Sequence, residues 1–127
     1  MRAMIVDDSR ATRAILGRIL QELGFEVVEA ADGRQALERL ADASPVTLAL
    51  VDWNMPVMNG LEFVKAVRQD PTNDGLRLLM VTTESDIDHM VSALEAGADE
   101  YAMKPFTAAV IREKLDLLGV TVQEGRS

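Results

Sequence analysis

Acidic side chains follow two apolar runs of this chain at the points where those runs end. Asp7 and Asp8 come directly after residues 3–6, and Asp52 comes directly after residues 46–51. Two adjacent carboxylates repel each other unless a cation lies between them. Mg²⁺ binds to one or two protein carboxylates through oxygen and keeps several waters. The three aspartates therefore indicate a Mg²⁺ site, provided that the fold brings both strand ends together.

Each aspartate also has an ordinary explanation. Acidic residues such as Asp7 and Asp8 are common before the start of a helix, where they interact favourably with its dipole. Asp52 could be a turn residue before Asn54. We favour the metal because Asp52 complements the adjacent pair. A carboxylate beside a bound cation can also attack phosphorus and form an acyl phosphate.

Two further side chains fit phosphoryl chemistry. Lys104 follows a short strand signal and can pair with a phosphoryl oxygen, although a lone lysine is usually solvated. Pro105 restrains the backbone there and permits a cis bond. Thr82 ends another apolar run, where it offers a hydroxyl or is an ordinary strand end. Tyr101 is either a packing residue or a movable aromatic, and His89 is predicted to be a surface residue away from the carboxylates.

The composition restricts the function classes. The chain has 127 residues, 48% of them apolar, no cysteine, and a formal charge of −8 from 21 acidic and 13 basic residues. An acidic protein of this kind is not expected to bind nucleic acid or an anionic membrane. Disulfide and thiolate chemistry are excluded. The N-terminus does not resemble a signal peptide, and no apolar run reaches bilayer length, so we expect a soluble cytoplasmic protein.

Strand and helix signals alternate along the chain. The predicted strands cover 3–6, 25–30, 46–51, 76–81 and 98–103. Predicted helices begin near Ser9, Asp32, Asn59, Ser85 and Thr107, and helical spacing gives them apolar faces. Those faces include Ile15, Leu94 and Val110. Residues 120–127 are expected to form a flexible tail.

This alternation predicts an α/β fold with a parallel sheet and helices on both faces. We expect one domain over residues 1–127, with five strands in the flavodoxin-like order 2-1-3-4-5 and five helices. Ligands of such sheets bind beyond the carboxyl ends of the strands, where the strand order reverses. Here that point lies between the first and third strands, which carry Asp7, Asp8 and Asp52.

The ordered motifs resemble the receiver domain of bacterial two-component response regulators, and within that family the single-domain regulators of chemotaxis. The resemblance runs from Met4 to about Leu118. It is carried by 7–8, 52–60, Thr82, 97–101 and 104–106.

The resemblance implies roles for the site residues. Asp52 would accept a phosphoryl group from a histidine of a sensor kinase. Asp8, Asp52 and the backbone carbonyl of Asn54 would hold Mg²⁺, and Asp7 would assist through water. Lys104 would bind the phosphoryl group.

The resemblance also implies a switch. Thr82 would move toward the phosphoryl group, and Tyr101 would turn inward. Asn54 and Glu84 match positions that tune dephosphorylation. Ala102 is smaller than the residue frequent in the family, which would loosen packing under Tyr101, and Asn59 stands where Asp is frequent.

The expected protein is therefore a monomeric signalling switch whose only chemistry is its own phosphorylation and dephosphorylation. Its output would be protein binding through the fourth helix, fifth strand and fifth helix, because the chain stops after that helix. Trp53, Glu84 and Tyr101 favour a partner in the flagellar motor switch.

Three alternatives remain. The protein could be a phosphorelay intermediate or a phosphate sink acting with a histidine phosphotransfer protein or a kinase. A magnesium-dependent phosphohydrolase is disfavoured because one common type needs an acid where Asn54 stands. A flavin binder is disfavoured by the acidic loop that begins with Asp7 and Asp8, since a flavin phosphate needs amides and hydroxyls.

Overall fold

The computed structural model describes residues 1–42 and 45–120. It contains five strands and five helices in strict alternation. In chain order they are β1 (Arg2–Val6), α1 (Arg10–Glu22), β2 (Glu26–Ala30), α2 (Gly33–Asp42), β3 (Leu48–Val51), α3 (Gly60–Gln69), β4 (Arg77–Thr82), α4 (Ile87–Ala96), β5 (Glu100–Met103) and α5 (Ala108–Leu118).

All strand pairs are parallel, and the sheet order is β2-β1-β3-β4-β5. This confirms the predicted fold class. β3 is buried along its whole length because helices cover both faces of the sheet. One hydrophobic cluster lies on each face, with Phe63 in the first and Ile111 in the second.

The predicted helix starts are confirmed where a polar side chain caps the helix. Ser9 accepts a hydrogen bond from the backbone of Thr12, and Thr107 from that of Val110. Asn59 and Glu62 form a reciprocal capping box at α3. These side chains satisfy backbone N–H groups that a helix leaves without partners.

Several strand boundaries were predicted wrongly. β3 begins two residues later than predicted, at Leu48, and β4 is shifted by one residue to Arg77–Thr82, so that Thr82 is its last residue. The predicted start of α4 near Ser85 is confirmed, and the capping residue is Asp86. A short 3-10 helix, Pro71–Asn73, follows α3.

The apolar helix faces are also narrower than predicted. Ile15 is 55% exposed, Leu94 44% and Val110 36%, because each lies beyond the stripe that contacts the sheet. Of the predicted tail, only Val120 is among the described residues. It is buried against the second cluster, so the core extends to this residue.

No helix in the described part of the chain has the length and apolarity needed to cross a bilayer.

The start of α3 packs directly against the end of β3. The Gly60 N–H donates to the Trp53 carbonyl at 2.9 Å. A Cβ atom at Gly60 would overlap the backbone carbonyl of Asp52. The close approach therefore requires glycine and fixes the segment that carries Asp52.

We predict that Gly60→Ala lowers the free energy of unfolding by about 2 kcal/mol or more, because the clash is with backbone that cannot rotate away. Gly75→Ala is the matched control, since an added Cβ there meets nothing within 4 Å. Urea unfolding followed by circular dichroism measures both. Equal stabilities for the two variants would contradict the packing described.

Candidate functional site

The three predicted aspartates meet at the carboxyl ends of β1 and β3. Asp7 and Asp52 continue the sheet ladder, because their N–H groups donate to the carbonyls of Ala30 and Val6. One carboxylate oxygen from each of Asp7, Asp8 and Asp52 lies within 4.8 Å of the others. Asp7 is 2% exposed and Asp52 is 7% exposed, while Asp8 faces solvent.

Both oxygens of Asp7 accept hydrogen bonds from the protein. One accepts from the Ser9 backbone N–H at 2.8 Å, and the other from Lys104 Nζ at 2.8 Å. Arg13 additionally donates to the Asp7 carbonyl at 2.6 Å. Asp7 is therefore held in place from three directions.

Asp52 differs because only one of its oxygens has a partner. Oδ2 lies 3.3 Å from Lys104 Nζ. Oδ1 is buried and has no hydrogen-bond partner among residues 1–42 and 45–120. A buried carboxylate oxygen without a donor is costly, and coordination to a cation would satisfy it. The oxygen-only donor set fits Mg²⁺. Asn54, whose carbonyl was also predicted as a ligand, lies exposed in the loop two residues after Asp52.

Lys104 follows the edge strand β5, and its side chain bridges Asp7 and Asp52. Its backbone N–H donates to the Thr82 carbonyl at 2.9 Å, and the Lys104–Pro105 bond is cis. Burial lowers the pKa of this ammonium, but the hydrogen bond to Asp7 and the charges of Asp52 and Asp7 outweigh burial and raise it overall. Lys104 is therefore a fixed positive charge at the site.

Thr82 and Tyr101 are joined through the backbone of Glu84. The Thr82 hydroxyl is fully buried and accepts from the Glu84 N–H at 3.2 Å. The Tyr101 hydroxyl donates to the Glu84 carbonyl at 2.7 Å. Tyr101 is buried, so its ring is already turned inward. Burial, then the charges of Glu84 and Asp52, raise the pKa of Tyr101 to about 12.

His89 is not as isolated as the sequence predicted. Its side chain is partly exposed, but its ring meets Trp53 edge-on, with centroids 4.8 Å apart. Its Nδ1 atom lies 3.1 Å from Glu84 Oε1. The contact joins α4 to the loop after β3, and sequence spacing gives no signal for a pair of this kind.

Ala102 does not pack under Tyr101, contrary to the prediction. Successive strand residues point to opposite faces of a sheet. Tyr101 belongs to the first hydrophobic cluster and Ala102 to the second.

The chain matches the model of the response regulator receiver domain over residues 3–116. It belongs to that family. The "Chemotaxis protein CheY homolog" of Campylobacter jejuni is 42% identical over 127 residues, covering 98% of each chain. "Chemotaxis protein CheY1" of Helicobacter pylori is 41% identical, covering 93% of this chain and 96% of the relative. The resemblance predicted from the motifs is thereby confirmed.

Solved structures agree. The chemotaxis protein CheY4 of Vibrio cholerae superposes with a TM-score of 0.85 at 37% identity, covering 91% of this chain and 96% of that one. A CheY-like receiver domain from Methanospirillum hungatei gives 0.82 at 34% identity, covering 92% and 91%. This receiver domain therefore belongs to two-component signalling, and its acidic cluster is compatible with Mg²⁺.

We predict that Mg²⁺ changes the fluorescence of Trp53, the only tryptophan, in a saturable way. Asp8→Asn should weaken Mg²⁺ binding by at least about tenfold. Loss of a residue that only hydrogen-bonds to a metal ligand already lowers metal affinity by that factor, and Asp8 is predicted to bind the metal directly. Asp74→Asn, which removes an exposed acid from the turn before β4, should bind like the wild type. Equal affinities for all three proteins would contradict the site.

We predict that Tyr101, the only tyrosine, shows tyrosinate absorbance in the folded protein only near pH 12, against about 10 when unfolded. The unfolded chain loses this proton first, so the free energy of unfolding falls as pH rises from 10 toward 12. Tyr101→Phe is the control and should abolish the absorbance change. If Tyr101 in the folded protein titrates with the pKa of the unfolded chain, its phenol is not buried as described.

Proposed function

We propose that this receiver domain is phosphorylated on Asp52 by a sensor histidine kinase and that phosphorylation switches its binding to an output protein. The observation that carries the proposal is the pairing at Asp52, where one carboxylate oxygen is held by Lys104 and the other is buried with no hydrogen-bond partner in the described part of the chain. A carboxylate whose hydrogen-bonding capacity the protein leaves partly unused can bind a cation and can also form a bond to phosphorus.

The transfer step follows from this arrangement. A carboxylate oxygen of Asp52 attacks phosphorus while the bond from phosphorus to the kinase histidine nitrogen breaks, and that nitrogen keeps the electron pair. The products are an aspartyl phosphate and a free histidine. A bound Mg²⁺, held by Asp8, Asp52 and the Asn54 carbonyl with Asp7 assisting, would offset the charge of the phosphoryl oxygens.

The chain's own residues then stabilise the product. Lys104 offers an ammonium to a phosphoryl oxygen, and Thr82 offers its hydroxyl. Hydrolysis returns the site to its starting state when water attacks phosphorus and Asp52 leaves as the carboxylate. Asn54 and Glu84, at the rim, would tune that rate. We propose no turnover of free substrates.

The switch is supported by the bonds around Glu84. If Thr82 turns its hydroxyl toward a phosphoryl oxygen, its bond to the Glu84 N–H is lost. The Glu84 carbonyl is bound to Tyr101, so movement of this loop reaches β5. Only a partner that binds one arrangement better than the other can read this change.

The proposed output surface is the face formed by α4, β5 and α5. On α4, Ile87, Val91 and Leu94 are exposed apolar side chains, and such patches often mark protein contacts. Because the relatives are named chemotaxis proteins, we propose a flagellar motor switch protein as the partner. We propose further that the protein acts as a cytoplasmic monomer.

We predict that wild-type protein with Mg²⁺ and acetyl phosphate gains the mass of one phosphoryl group, and that Asp52→Asn does not, because an amide is a poor nucleophile. Asp74→Asn should behave as the wild type. Intact mass spectrometry measures all three. A full gain in Asp52→Asn would place the acceptor elsewhere.

A binding assay tests the proposed partner. If the phosphorylated protein does not bind a motor switch peptide but transfers its phosphoryl group to a histidine phosphotransfer domain, the protein is a phosphorelay intermediate and not a regulator of the motor.

We predict that Lys104→Ala still binds Mg²⁺ but no longer transmits phosphorylation to the surface, because the ammonium that ties Asp7 and Asp52 together is lost. Amide hydrogen exchange of α4 and β5, with and without phosphorylation, is the measurement. Normal phosphorylation-dependent exchange in this variant would contradict the role given to Lys104.

A further inference from the structure

The backbone of Glu84 is fixed at both ends of the residue. Its N–H donates to the Thr82 hydroxyl at 3.2 Å, and its carbonyl accepts from the Tyr101 hydroxyl at 2.7 Å. Only the side-chain torsions remain free to move the carboxylate. Glu84 comes two residues after Thr82, whose hydroxyl contacts the phosphoryl group in the proposed mechanism.

His89 determines where this carboxylate points. Its Nδ1 atom lies 3.1 Å from Glu84 Oε1, and no other described side chain bonds to that carboxylate. The His89 imidazole also contacts the ring of Trp53, with the two ring centroids 4.8 Å apart and the ring planes at 64° to each other. Trp53 is itself buried and adjoins Asp52. The His89 imidazole therefore packs against Trp53, the residue that follows the proposed phosphoryl acceptor Asp52.

The direction of the Glu84 carboxylate matters because the site is already acidic. Among residues 1–42 and 45–120, the only ammonium bonded to Asp7, Asp8 or Asp52 is that of Lys104, which bridges Asp7 and Asp52. A phosphoryl donor is an anion, so a fourth carboxylate turned toward it would oppose its approach. Glu84 lies close enough for its charge to act on the Tyr101 phenol together with that of Asp52.

We propose that His89 is a positioning residue for phosphoryl transfer. It anchors the Glu84 carboxylate on the Trp53 side of the rim, and thereby keeps this negative charge out of the path of an anionic phosphoryl donor. The inference rests on the proposed function, since it concerns the rate at which Asp52 is phosphorylated. It assigns a role to a residue outside the motifs that carry the family resemblance.

The test compares His89→Phe, which keeps a ring against Trp53 but loses the bond to Glu84, with His89→Gln, which can still donate to the carboxylate. The rate is that of mass gain with acetyl phosphate, in which Asp52 attacks phosphorus and acetate leaves with the electron pair. His89→Phe should react about two- to threefold more slowly, the scale of a partly exposed charge interaction. His89→Gln should recover most of the wild-type rate.

Two comparisons separate this role from a merely structural one. The slowing should be smaller with phosphoramidate, which carries less negative charge than acetyl phosphate at neutral pH. It should also disappear when His89→Phe is combined with Glu84→Gln, because the charge that His89 restrains is then absent. Mg²⁺ affinity, read from Trp53 fluorescence, should be the same in all variants.

The inference is overturned if His89→Phe reacts at the wild-type rate, if both donors are slowed equally, or if the slowing persists in the Glu84→Gln background. Failure of the proposed function is a different result. In that case wild-type protein gains no phosphoryl group that Asp52→Asn lacks, and the role of His89 falls with it.

Discussion

The structure depends on an imbalance of charge at one end of the sheet. Three carboxylates converge there, and the only ammonium within the described residues that bonds to any of them is that of Lys104, which bridges Asp7 and Asp52. Burying charge is tolerated only where partners replace water. Asp7 has such partners at both oxygens, whereas Asp52 Oδ1 has none among the residues that the structure describes. The fold thus holds one carboxylate oxygen in a state that a cation or a phosphoryl group would relieve.

The sheet topology creates this imbalance. β1 and β3 are neighbours although α1, β2 and α2 separate them in the chain, and their register places Val6 beside Val51. The residues that follow, Asp7 and Asp52, must then emerge side by side. Lys104 follows β5, which lies at the edge of the sheet. Because Gly60 has no side chain, the start of α3 packs directly against the backbone of Asp52. Backbone packing therefore sets the positions from which these side chains extend.

The sequence predicted the strand order and the aspartate cluster because both follow from short-range patterns. Apolar runs ending in Asp, and caps such as Ser9 and Asn59, are local signals. The contact of His89 with Trp53 and Glu84 is tertiary, joining α4 to the loop after β3, so periodicity could not reveal it. The prediction for Ala102 failed for a simpler reason. A strand alternates its faces, so the neighbour of Tyr101 in sequence lies on the opposite side of the sheet.

We propose that Asp52, and neither Asp7 nor Asp8, carries the acyl phosphate. Borohydride reduces an aspartyl phosphate to homoserine, which peptide mass spectrometry can locate after treatment with Mg²⁺ and acetyl phosphate. We expect homoserine at position 52 alone, because both oxygens of Asp7 are hydrogen-bonded and Lys104, which would hold the phosphoryl group, contacts Asp52 and not Asp8. Homoserine at position 7 or 8, with none at 52, would contradict it.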